Sequence, residues 1–335
     1  MAANILVTGA TGFIGSHLVR QLVATGQSVR VLVRNPEKLK DVELEPSPLL
    51  EIAKGDLLDP ESIEQALKGI SRVYHIAGYI STRKQDVAQV YKLNVDITRN
   101  LFSVCARHKL EKIVYLASIF ALGGNSIMPV DETTEYNLGH FPIGYFKAKR
   151  EAELYAWSCV SEGLPLTFVY PGFCYGPGDV YNSSSEALLM FLHRRLPVYL
   201  TGGANAMDVR DAAQGLILGM EKGRIGEKYL VGGRNISNSD LFDLFSQITR
   251  IPGPKLAVPR FAGQWAGKLA EKLMQNPLVD FEGATVMGHY WYYDSSKARK
   301  ELGFTSRDLN ESITDAIHWF CSRKMAPWPP GWKRS

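Results

Sequence analysis

The sequence predicts an α/β protein in which a doubly wound parallel sheet of about seven strands is followed by a smaller, mostly helical C-terminal lobe. Strand-like and helical runs alternate through the first half of the chain, and helical patterns dominate after residue 239. Such alternation produces parallel strands joined by right-handed crossovers, with helices on both faces of the sheet. A length of 335 residues is enough for one large domain, or for a domain and a smaller lobe.

The predicted elements follow one another in a regular order. Strand-like runs occur near 3–8, 29–33, 51–54, 72–77, 112–117 and 165–170, with a further candidate at 227–231. Helical patterns lie near 13–26, 60–68, 85–108 and 143–162, and again near 239–275, 294–302 and 312–320. Asp59 and Pro60 give the helix at 60–68 an N-cap and a suitable first residue. The tail 325–335 is expected to be an irregular strap or a frayed end.

Three glycines, Gly9, Gly12 and Gly15, lie between a buried-strand run at 5–7 and a helical pattern that opens at Phe13. In such a turn the first glycine permits a sharp bend, the second lets backbone N–H groups approach a pyrophosphate, and the third lets helix and strand pack closely. The helix N-terminus adds unpaired N–H donors and a positive dipole end. This context favours a Rossmann-type dinucleotide site over a tight turn without a ligand.

The residue after the second strand indicates which dinucleotide binds. An acidic residue there favours the ribose hydroxyl of NAD, whereas an arginine accommodates the 2′-phosphate of NADP. Here that residue is Arg34, and Lys38 and Lys40 follow on the same loop. NADP(H) is therefore favoured and NAD(H) stays possible, the alternative being a solvated basic loop. Asp56 is placed to accept a hydrogen bond from the adenine amino group, or is a turn aspartate.

Tyr145, Lys149 and Ser118 form the candidate catalytic group. Tyr145 and Lys149 are four residues apart on a predicted helix and share one face, and Ser118 follows a strand at the sheet edge where ligands bind. A tyrosine pKa of about 10 suits proton transfer at neutral pH only when lowered, and an ammonium ~4 Å away at an effective dielectric of ~20 lowers it by ~3 units. The alternative is a half-buried helical pair with a strand-end cap.

Eight stretches carry a resemblance to a known family. They are Thr8-Gly9-Ala10-Thr11-Gly12-Phe13-Ile14-Gly15, Gly55-Asp56-Leu57, Leu93-Asn94-Val95-Asp96, Tyr115–Ser118, Tyr145 with Lys149, Tyr175-Gly176-Pro177-Gly178, Val209-Arg210-Asp211 and Tyr293–Gly303. Along nearly its whole length the chain resembles the extended short-chain dehydrogenase/reductases. Within them it is most similar to the dihydroflavonol-reductase-like proteins, which include the hopanoid-associated sugar epimerase group.

The resemblance implies roles for individual residues. It makes Ser118, Tyr145 and Lys149 the catalytic triad, places Pro171 and Phe173 at the nicotinamide end of the cofactor, and implies a homodimer through helices 85–108 and 143–162. The residues expected to contact the cofactor are Gly9, Thr11, Gly12, Phe13, Ile14, Gly15, Arg34, Lys38, Asp56, Leu57, Ala77, Gly78, Tyr145, Lys149, Pro171 and Phe173.

The chain departs from this family at positions that bear on the substrate. Nucleotide-sugar epimerases usually carry an asparagine where this chain has Phe173, and Tyr170-Pro171 replaces a common Arg-Pro. The candidate substrate contacts indicate an apolar, aromatic pocket; they are Tyr79, Ile80, Phe120, Tyr175 and Tyr181.

The leading hypothesis is an NADPH-dependent reductase, reversibly a dehydrogenase, acting on a ketone or aldehyde of a hydrophobic small molecule with Tyr145 as the general acid. The alternatives are an NAD(P)-dependent epimerase or dehydratase of a nucleotide sugar, and a non-catalytic NADP(H)-sensing protein. Residues 1–172 with about 206–232 are expected to form the cofactor domain. About 173–205 and 233–335 are expected to form the substrate lobe.

Composition narrows the class of protein. A net charge of +4 with mixed signs gives no support for nucleic-acid binding. No run approaches the ~18 apolar residues of a membrane span, and no signal peptide is visible. The four cysteines are scattered without metal-ligand spacing, which predicts reduced core residues, no metal site and a cytoplasmic location.

Overall fold

The computed structural model describes residues 3–274 and 280–332, except for the side chains of residues 125–127. Its strands, in chain order, are β1 (Ile5–Thr8), β2 (Val29–Val33), β3 (Leu50–Lys54), β4 (Arg72–His75), β5 (Lys112–Leu116), β6 (Asn125–Val130), β7 (Leu166–Pro171), β8 (Phe173–Tyr175), β9 (Val198–Leu200), β10 (Gly203–Asp208), β11 (Lys228–Val231), β12 (Arg234–Ser237), β13 (Leu256–Val258) and β14 (Tyr290–Tyr293).

Its α-helices, in chain order, are α1 (Phe13–Ala24), α2 (Lys38–Asp41), α3 (Pro60–Ala66), α4 (Val87–Tyr91), α5 (Ile97–Cys105), α6 (Ile119–Leu122), α7 (Gly144–Ser161), α8 (Glu186–Leu192), α9 (Val209–Glu221), α10 (Asn238–Thr249), α11 (Arg260–Leu273), α12 (Phe281–Met287), α13 (Ser296–Leu302) and α14 (Leu309–Ser322). A 3₁₀ turn, Lys84–Asp86, precedes α4, and a π-helical turn, Lys92–Asp96, separates α4 from α5.

Seven strands form a parallel sheet in the order β11-β7-β5-β4-β1-β2-β3. The chain runs from β1 outward to β3, then crosses to β4 and runs to the opposite edge. The strand order therefore reverses between β1 and β4, which is where open α/β sheets bind ligands. The predicted Rossmann-type sheet is confirmed.

Helices cover both faces of this sheet, and its inner strands, such as β1, are buried and apolar. On one face α5 and α7 pack on the sheet through residues such as Leu101, Phe102 and Ala152, and on the other α1 and α9 do so through Leu18 and Leu216. At α3, Asp59 accepts a hydrogen bond from the Glu61 N–H, as the predicted N-cap requires.

A second, five-stranded sheet was not predicted. Its order is β12-β10-β14-β6, with β8 also paired to β10, and β10–β12 is its antiparallel pair. A parallel pair of β9 and β13 lies apart from it. These strands have three to six residues, and most lie in Gly-, Pro- or Asn-rich segments, so they give little periodicity to read. Around them, α8, α10 and α14 enclose a third apolar cluster that includes Phe245 and Phe320.

The C-terminal tail packs on this third cluster. Met325, Trp328 and Trp332 lie against it, and the Trp332 ring is 4.6 Å from that of His318. This matches the predicted strap as far as Trp332.

Three features bear on location and metal binding. Within residues 3–274 and 280–332, no helix is long and apolar enough to cross a bilayer. In the same ranges no cluster of three His, Cys, Asp or Glu side chains is arranged to hold a metal ion. All four cysteines are free and buried.

Candidate active site

The glycine loop has the geometry that its sequence requires. Gly9 has a φ of 78°, and a Cβ there would lie 2.6 Å from the Ala77 nitrogen. A Cβ at Gly15 would overlap the Gly9 carbonyl oxygen, so α1 can lie this close to the end of β1 only without a side chain. The loop is therefore held against the carboxyl ends of β1 and β4.

The start of α1 is open to an anion. Gly12 is its N-cap residue, and among the residues that the structure describes no side chain caps the first N–H groups of the helix. A Cβ at Gly12 would have one neighbour within 4 Å, the Gly9 carbonyl oxygen at 3.2 Å, and would occupy the approach to these donors. Phe13 is buried, while Thr11 and Ile14 are half-buried beside them. This cradle fits the pyrophosphate of a dinucleotide.

Arg34 lies exposed directly after β2, and Lys38 lies exposed at the start of α2. Among the described residues Arg34 has no ion-pair partner, whereas Lys40 is paired with Glu37 at 2.5 Å. Tyr181, predicted to contact substrate, lies here instead: the Lys38 Nζ is 5.8 Å from its ring, and the charges of Asp41 and Arg34 act on its hydroxyl.

The position of Tyr181 has a clear cause, and its contact with substrate stays a prediction. His17 on α1 donates from Nε2 to the Pro177 carbonyl at 2.7 Å, which holds this loop over the nucleotide side of the sheet. Burial lowers the pKa of His17 to about 4, so the ring bonds in its neutral form.

Asp56 and Leu57 follow β3. The Asp56 carboxylate accepts a hydrogen bond from the Leu58 N–H at 3.0 Å, as a turn aspartate does. Leu57 is buried, and its carbonyl accepts from the Asn100 side chain at 3.1 Å. A contact of Asp56 with adenine stays a prediction.

Ser118, Tyr145 and Lys149 are brought to the carboxyl end of β5. Ser118 caps α6, and its hydroxyl accepts from the Phe120 N–H at 3.3 Å. Tyr145 and Lys149 lie on one face of α7, and both are at least nine-tenths buried. The ammonium of Lys149 lies 5.7 Å from the centre of the Tyr115 ring in β5.

The protonation of Tyr145 differs from the sequence-based expectation. Burial raises its pKa to about 12, and the Ser118 hydroxyl opposes this through a hydrogen bond. The net shift of the Tyr145 pKa is therefore upward, whereas the sequence predicted a fall. Burial also lowers the pKa of Lys149 to about 8, which the Glu153 carboxylate opposes. The dominant cause is desolvation, which disfavours the charged form of each group.

Asn94 is a positioning residue to which the sequence analysis gave no role. From the π-helical turn, its Nδ2 donates to the carbonyls of Tyr79 and Val90, both at 2.8 Å, and its Oδ1 accepts from the Tyr79 N–H at 3.3 Å. This clamp fixes Gly78 and Tyr79 beside Lys149, since a Cβ at Gly78 would lie 2.9 Å from Asn94 Oδ1 and 4.0 Å from Lys149 Nζ. The Leu93-Asn94-Val95-Asp96 motif was the available signal.

A buried polar chain ties β1 to the same turn. His75 bonds to Thr8 Oγ1 through Nδ1 and to Thr98 Oγ1 through Nε2, each at 2.9 Å, and Thr98 donates to the Asn94 carbonyl at 2.6 Å. Burial, and secondarily the charge of Lys149, lowers the pKa of His75 to about 3. The neutral His75 ring, bonded at both nitrogens, therefore joins β4 to β1 and α5 at the point where the strand order reverses.

An aromatic group lies beside Tyr145. The Phe120 ring centre is 6.0 Å from that of Tyr145 and 5.9 Å from that of Phe173, both edge to face, and 4.9 Å from Trp291. Pro171 ends β7, and only Gly172 separates it from Phe173, the first residue of β8. The structure therefore places apolar rings next to the candidate acid.

The predicted substrate contacts do not all meet there. Tyr79 packs on the same apolar cluster as Phe120, and Ile80 follows it, exposed. Tyr175 is buried in the third cluster, with its ring 6.3 Å from Phe245, and is a core residue because β8 is covered by α14 and α10.

Comparisons with known proteins agree with this geometry. The sequence model of the NAD dependent epimerase/dehydratase family matches residues 5–232. A Synechocystis sp. protein provisionally named dihydroflavonol 4-reductase is 32% identical over 334 residues, which cover 96% of this chain and 95% of that protein. Sterol demethylase protein B of Methylococcus capsulatus is 32% identical over 330 residues, with 96% and 99% covered.

Solved structures are similar over the same length. The crystal structure of gox2253 has a TM-score of 0.84 at 34% identity, with 96% of this chain and 99% of that chain covered. MoeE5, solved with UDP-glucose and NAD, has a TM-score of 0.74 at 23% identity, with 97% and 100% covered; this second likeness concerns the fold.

Proposed function

This chain belongs to the NAD dependent epimerase/dehydratase family, within the extended short-chain dehydrogenase/reductases, and we propose that it is an NADPH-dependent reductase of a ketone or aldehyde on a hydrophobic small molecule. The observation that carries the proposal is the aromatic group at Tyr145, in which the Phe120 ring packs edge to face on the Tyr145 ring and the Phe173 ring packs on Phe120. An apolar carbonyl compound suits such a wall, whereas a nucleotide diphosphate needs polar partners there. The provisional reductase name of the Synechocystis relative supports the reaction class.

Each catalytic residue has a defined task in this proposal. Bound NADPH supplies the hydride. Ser118 donates a hydrogen bond to the carbonyl oxygen, and Tyr145 gives its proton to that oxygen as negative charge develops there. A Tyr145 pKa of about 12 keeps this phenol protonated at neutral pH, which suits an acid in the reducing direction. Lys149, protonated below its pKa of about 8, stabilises the resulting phenolate and replaces its proton.

The cofactor preference rests on Arg34. Its guanidinium is exposed at the position that meets the adenosine ribose, without an ion-pair partner among the described residues, and is available to a 2′-phosphate. Lys38 adds a second cation at the start of α2.

Three further parts of the proposal concern organisation. We propose a homodimer through the α4–α5 segment and α7, on whose outer surface Leu154 is 52% exposed. We also propose that residues 1–172 with about 206–232 form the cofactor domain, and that about 173–205 and 233–335 form the substrate lobe. The buried, free cysteines suit a cytoplasmic enzyme.

The test is NADPH consumption by the purified protein against a panel of apolar aldehydes and ketones, run beside a panel of nucleotide sugars. We expect stoichiometric loss of NADPH with at least one apolar carbonyl compound. Isomerised or dehydrated nucleotide sugar without net cofactor change would instead identify an epimerase or dehydratase. NADPH binding without turnover on either panel would favour the sensing protein.

The cofactor preference has its own test. Arg34→Asp should lower kcat/KM for NADPH by roughly 10–100-fold, the value of a charge-assisted pair, and leave that for NADH equal or higher. Lys40→Gln is the matched control, because Lys40 lies nearby in α2 but is paired with Glu37. An unchanged NADPH-to-NADH ratio in Arg34→Asp would remove the argument for NADP(H).

A further inference from the structure

An apolar stripe runs along the outer face of α11. Phe261, Trp265, Leu269 and Leu273 follow one another at four-residue intervals, with 66%, 72%, 58% and 76% of their surfaces exposed. Such spacing keeps side chains on neighbouring turns of one helix face. Soluble surfaces usually carry large apolar side chains singly, so a continuous row of four marks a surface that binds something.

The stripe faces outward because the inner face of α11 is tightly packed. A Cβ at Gly263 would overlap the Leu200 side chain, and one at Gly267 would lie 2.7 Å from the Asp280 backbone. Gln264 also donates to the Thr285 hydroxyl at 2.9 Å, which fixes the rotation of α11 against α12. The helix therefore has no room to turn its apolar row inward.

Basic side chains surround the stripe. Lys255, Arg260, Lys268 and Lys272 are exposed between residues 255 and 274. The acidic residue of this segment, Glu271, is paired with Lys84 at 3.0 Å. An amphipathic helix with Trp, Phe and Leu on one side and Lys or Arg flanking them lies in the interface of a lipid bilayer, with its charges at the headgroups.

A second copy of this chain is a poorer occupant of the surface. A twofold interface places the same patch against itself, so the basic side chains of one copy would face those of the other. Like charges across an interface disfavour association, whereas anionic lipid headgroups complement all of them.

The surface is close to the candidate active site. The indole of Trp291, in contact with Phe120, donates to the Val286 carbonyl of α12 at 2.8 Å, and α12 separates this aromatic group from α11. A second connection runs through Lys84, which pairs with Glu271 near the end of α11. Lys84 follows Tyr79 along the chain, and Asn94 bonds to the Tyr79 backbone.

We propose that the face of α11 carrying Phe261, Trp265, Leu269 and Leu273 docks the protein on the surface of an anionic lipid bilayer, with the flanking lysines and Arg260 at the headgroups. Docking itself does not depend on the proposed reaction. If the reaction is as proposed, docking places the active site beside a phase in which an apolar substrate concentrates.

The test is sedimentation of the full-length protein with vesicles of phosphatidylglycerol and phosphatidylcholine in roughly equal parts, without substrate or NADPH. The double variant Phe261→Ser/Trp265→Ser should bind about a hundredfold more weakly, because two large side chains no longer insert. Lys255→Ser/Lys272→Ser should bind roughly thirtyfold more weakly, and wild-type binding should fall with salt and on pure phosphatidylcholine.

The control removes two exposed apolar side chains elsewhere. Ile52→Ser/Ile225→Ser should bind vesicles as wild type does, since these residues lie outside α11. Turnover of a water-soluble carbonyl or, failing that, NADPH binding should be equal in all variants, which separates docking from folding and from the reaction.

Two results would overturn the proposal. One is wild-type protein that stays in the supernatant, or that sediments no more than Phe261→Ser/Trp265→Ser. The other is a loss of oligomeric mass in that variant, measured by light scattering, with vesicle binding unchanged, which would make α11 an interface between copies.

Discussion

The helices α7 and α11 each carry a row of side chains at four-residue intervals, but the α7 row faces the interior of the protein and the α11 row faces outward. On α7 the row is Tyr145, Lys149, Glu153 and Trp157, and on α11 it is Phe261, Trp265, Leu269 and Leu273. The α7 row is polar and turned into the protein, and its first three members are buried. The α11 row is apolar and turned outward.

The contrast shows that a four-residue interval defines a helix face without saying where it points. On α7, burial is tolerated because neighbours compensate it: burial raises the pKa of Glu153, while Lys228 and Arg150, at 3.8 and 3.6 Å, oppose that rise. On α11, the packed glycine face takes the inner position and the large apolar residues remain outside. In the proposals made above, the α7 row carries out the chemistry and the α11 row contacts a lipid surface.

The largest effect that separates the two rows is on turnover. Tyr145→Phe should lower kcat for carbonyl reduction by about 10²–10⁴-fold, because the proton donor is lost, with the Kd for NADPH little changed. Tyr155→Phe is the matched control: it lies on the same helix, and its hydroxyl bonds to Ser103 at 2.9 Å, away from the site. Full activity in Tyr145→Phe would show that α7 carries no acid.

The next effect is on stability. Phe146 on α7 is fully buried and stacked 4.3 Å from Phe120, so Phe146→Ala should lower the free energy of unfolding by about 3–5 kcal/mol. Leu269→Ala on α11 should change it by less than about 0.5 kcal/mol, because this side chain is mostly exposed. Chemical denaturation measures both. Equal losses would mean that the α11 row is covered by the protein itself.

The smallest effect is on the pH profile. Lys149 loses its proton above a pKa of about 8, so kcat/KM for reduction should fall by roughly tenfold per pH unit above that value. Between about pH 8 and 10.5 the unfolded chain binds more protons at this group, and its contribution to the free energy of unfolding rises with pH. Lys149→Arg, which stays charged, should abolish this alkaline limb. A wild-type profile that is level to pH 10 would contradict the role of Lys149.

Local signals predicted most of the fold and the meeting of the catalytic side chains. The glycine turn before α1 and the Tyr145–Lys149 interval each depend on few neighbouring residues, and the parallel sheet follows from the alternation of strands and helices. The second sheet was missed because its strands are short and pair over long sequence distances, as β10 and β14 do.

The sequence does not show what surrounds a residue. Tyr175 ends β8 and Tyr181 lies in the loop that follows, yet one is buried in the third cluster and the other lies beside Lys38. The pKa of Tyr145 was expected to fall because the sequence shows the charge of Lys149 but not the extent of burial. The apolar row of α11 faces outward because Gly263 packs against Leu200 and Gly267 against the Asp280 backbone, and these contacts cannot be read from the sequence pattern.

The π-helical turn at Lys92–Asp96 makes the chain sensitive to the deletion of a single residue, which a surface loop would tolerate. A π turn holds one residue more than the α-helical turn that it replaces. Deleting a residue there would let α4 and α5 merge into one regular helix, but every side chain on one side of the deletion would rotate by about 100° relative to the other. Leu101 and Phe102 would leave the sheet, or Val90 would leave its buried position. Single-residue deletions should therefore be selected against in this segment and tolerated in surface loops.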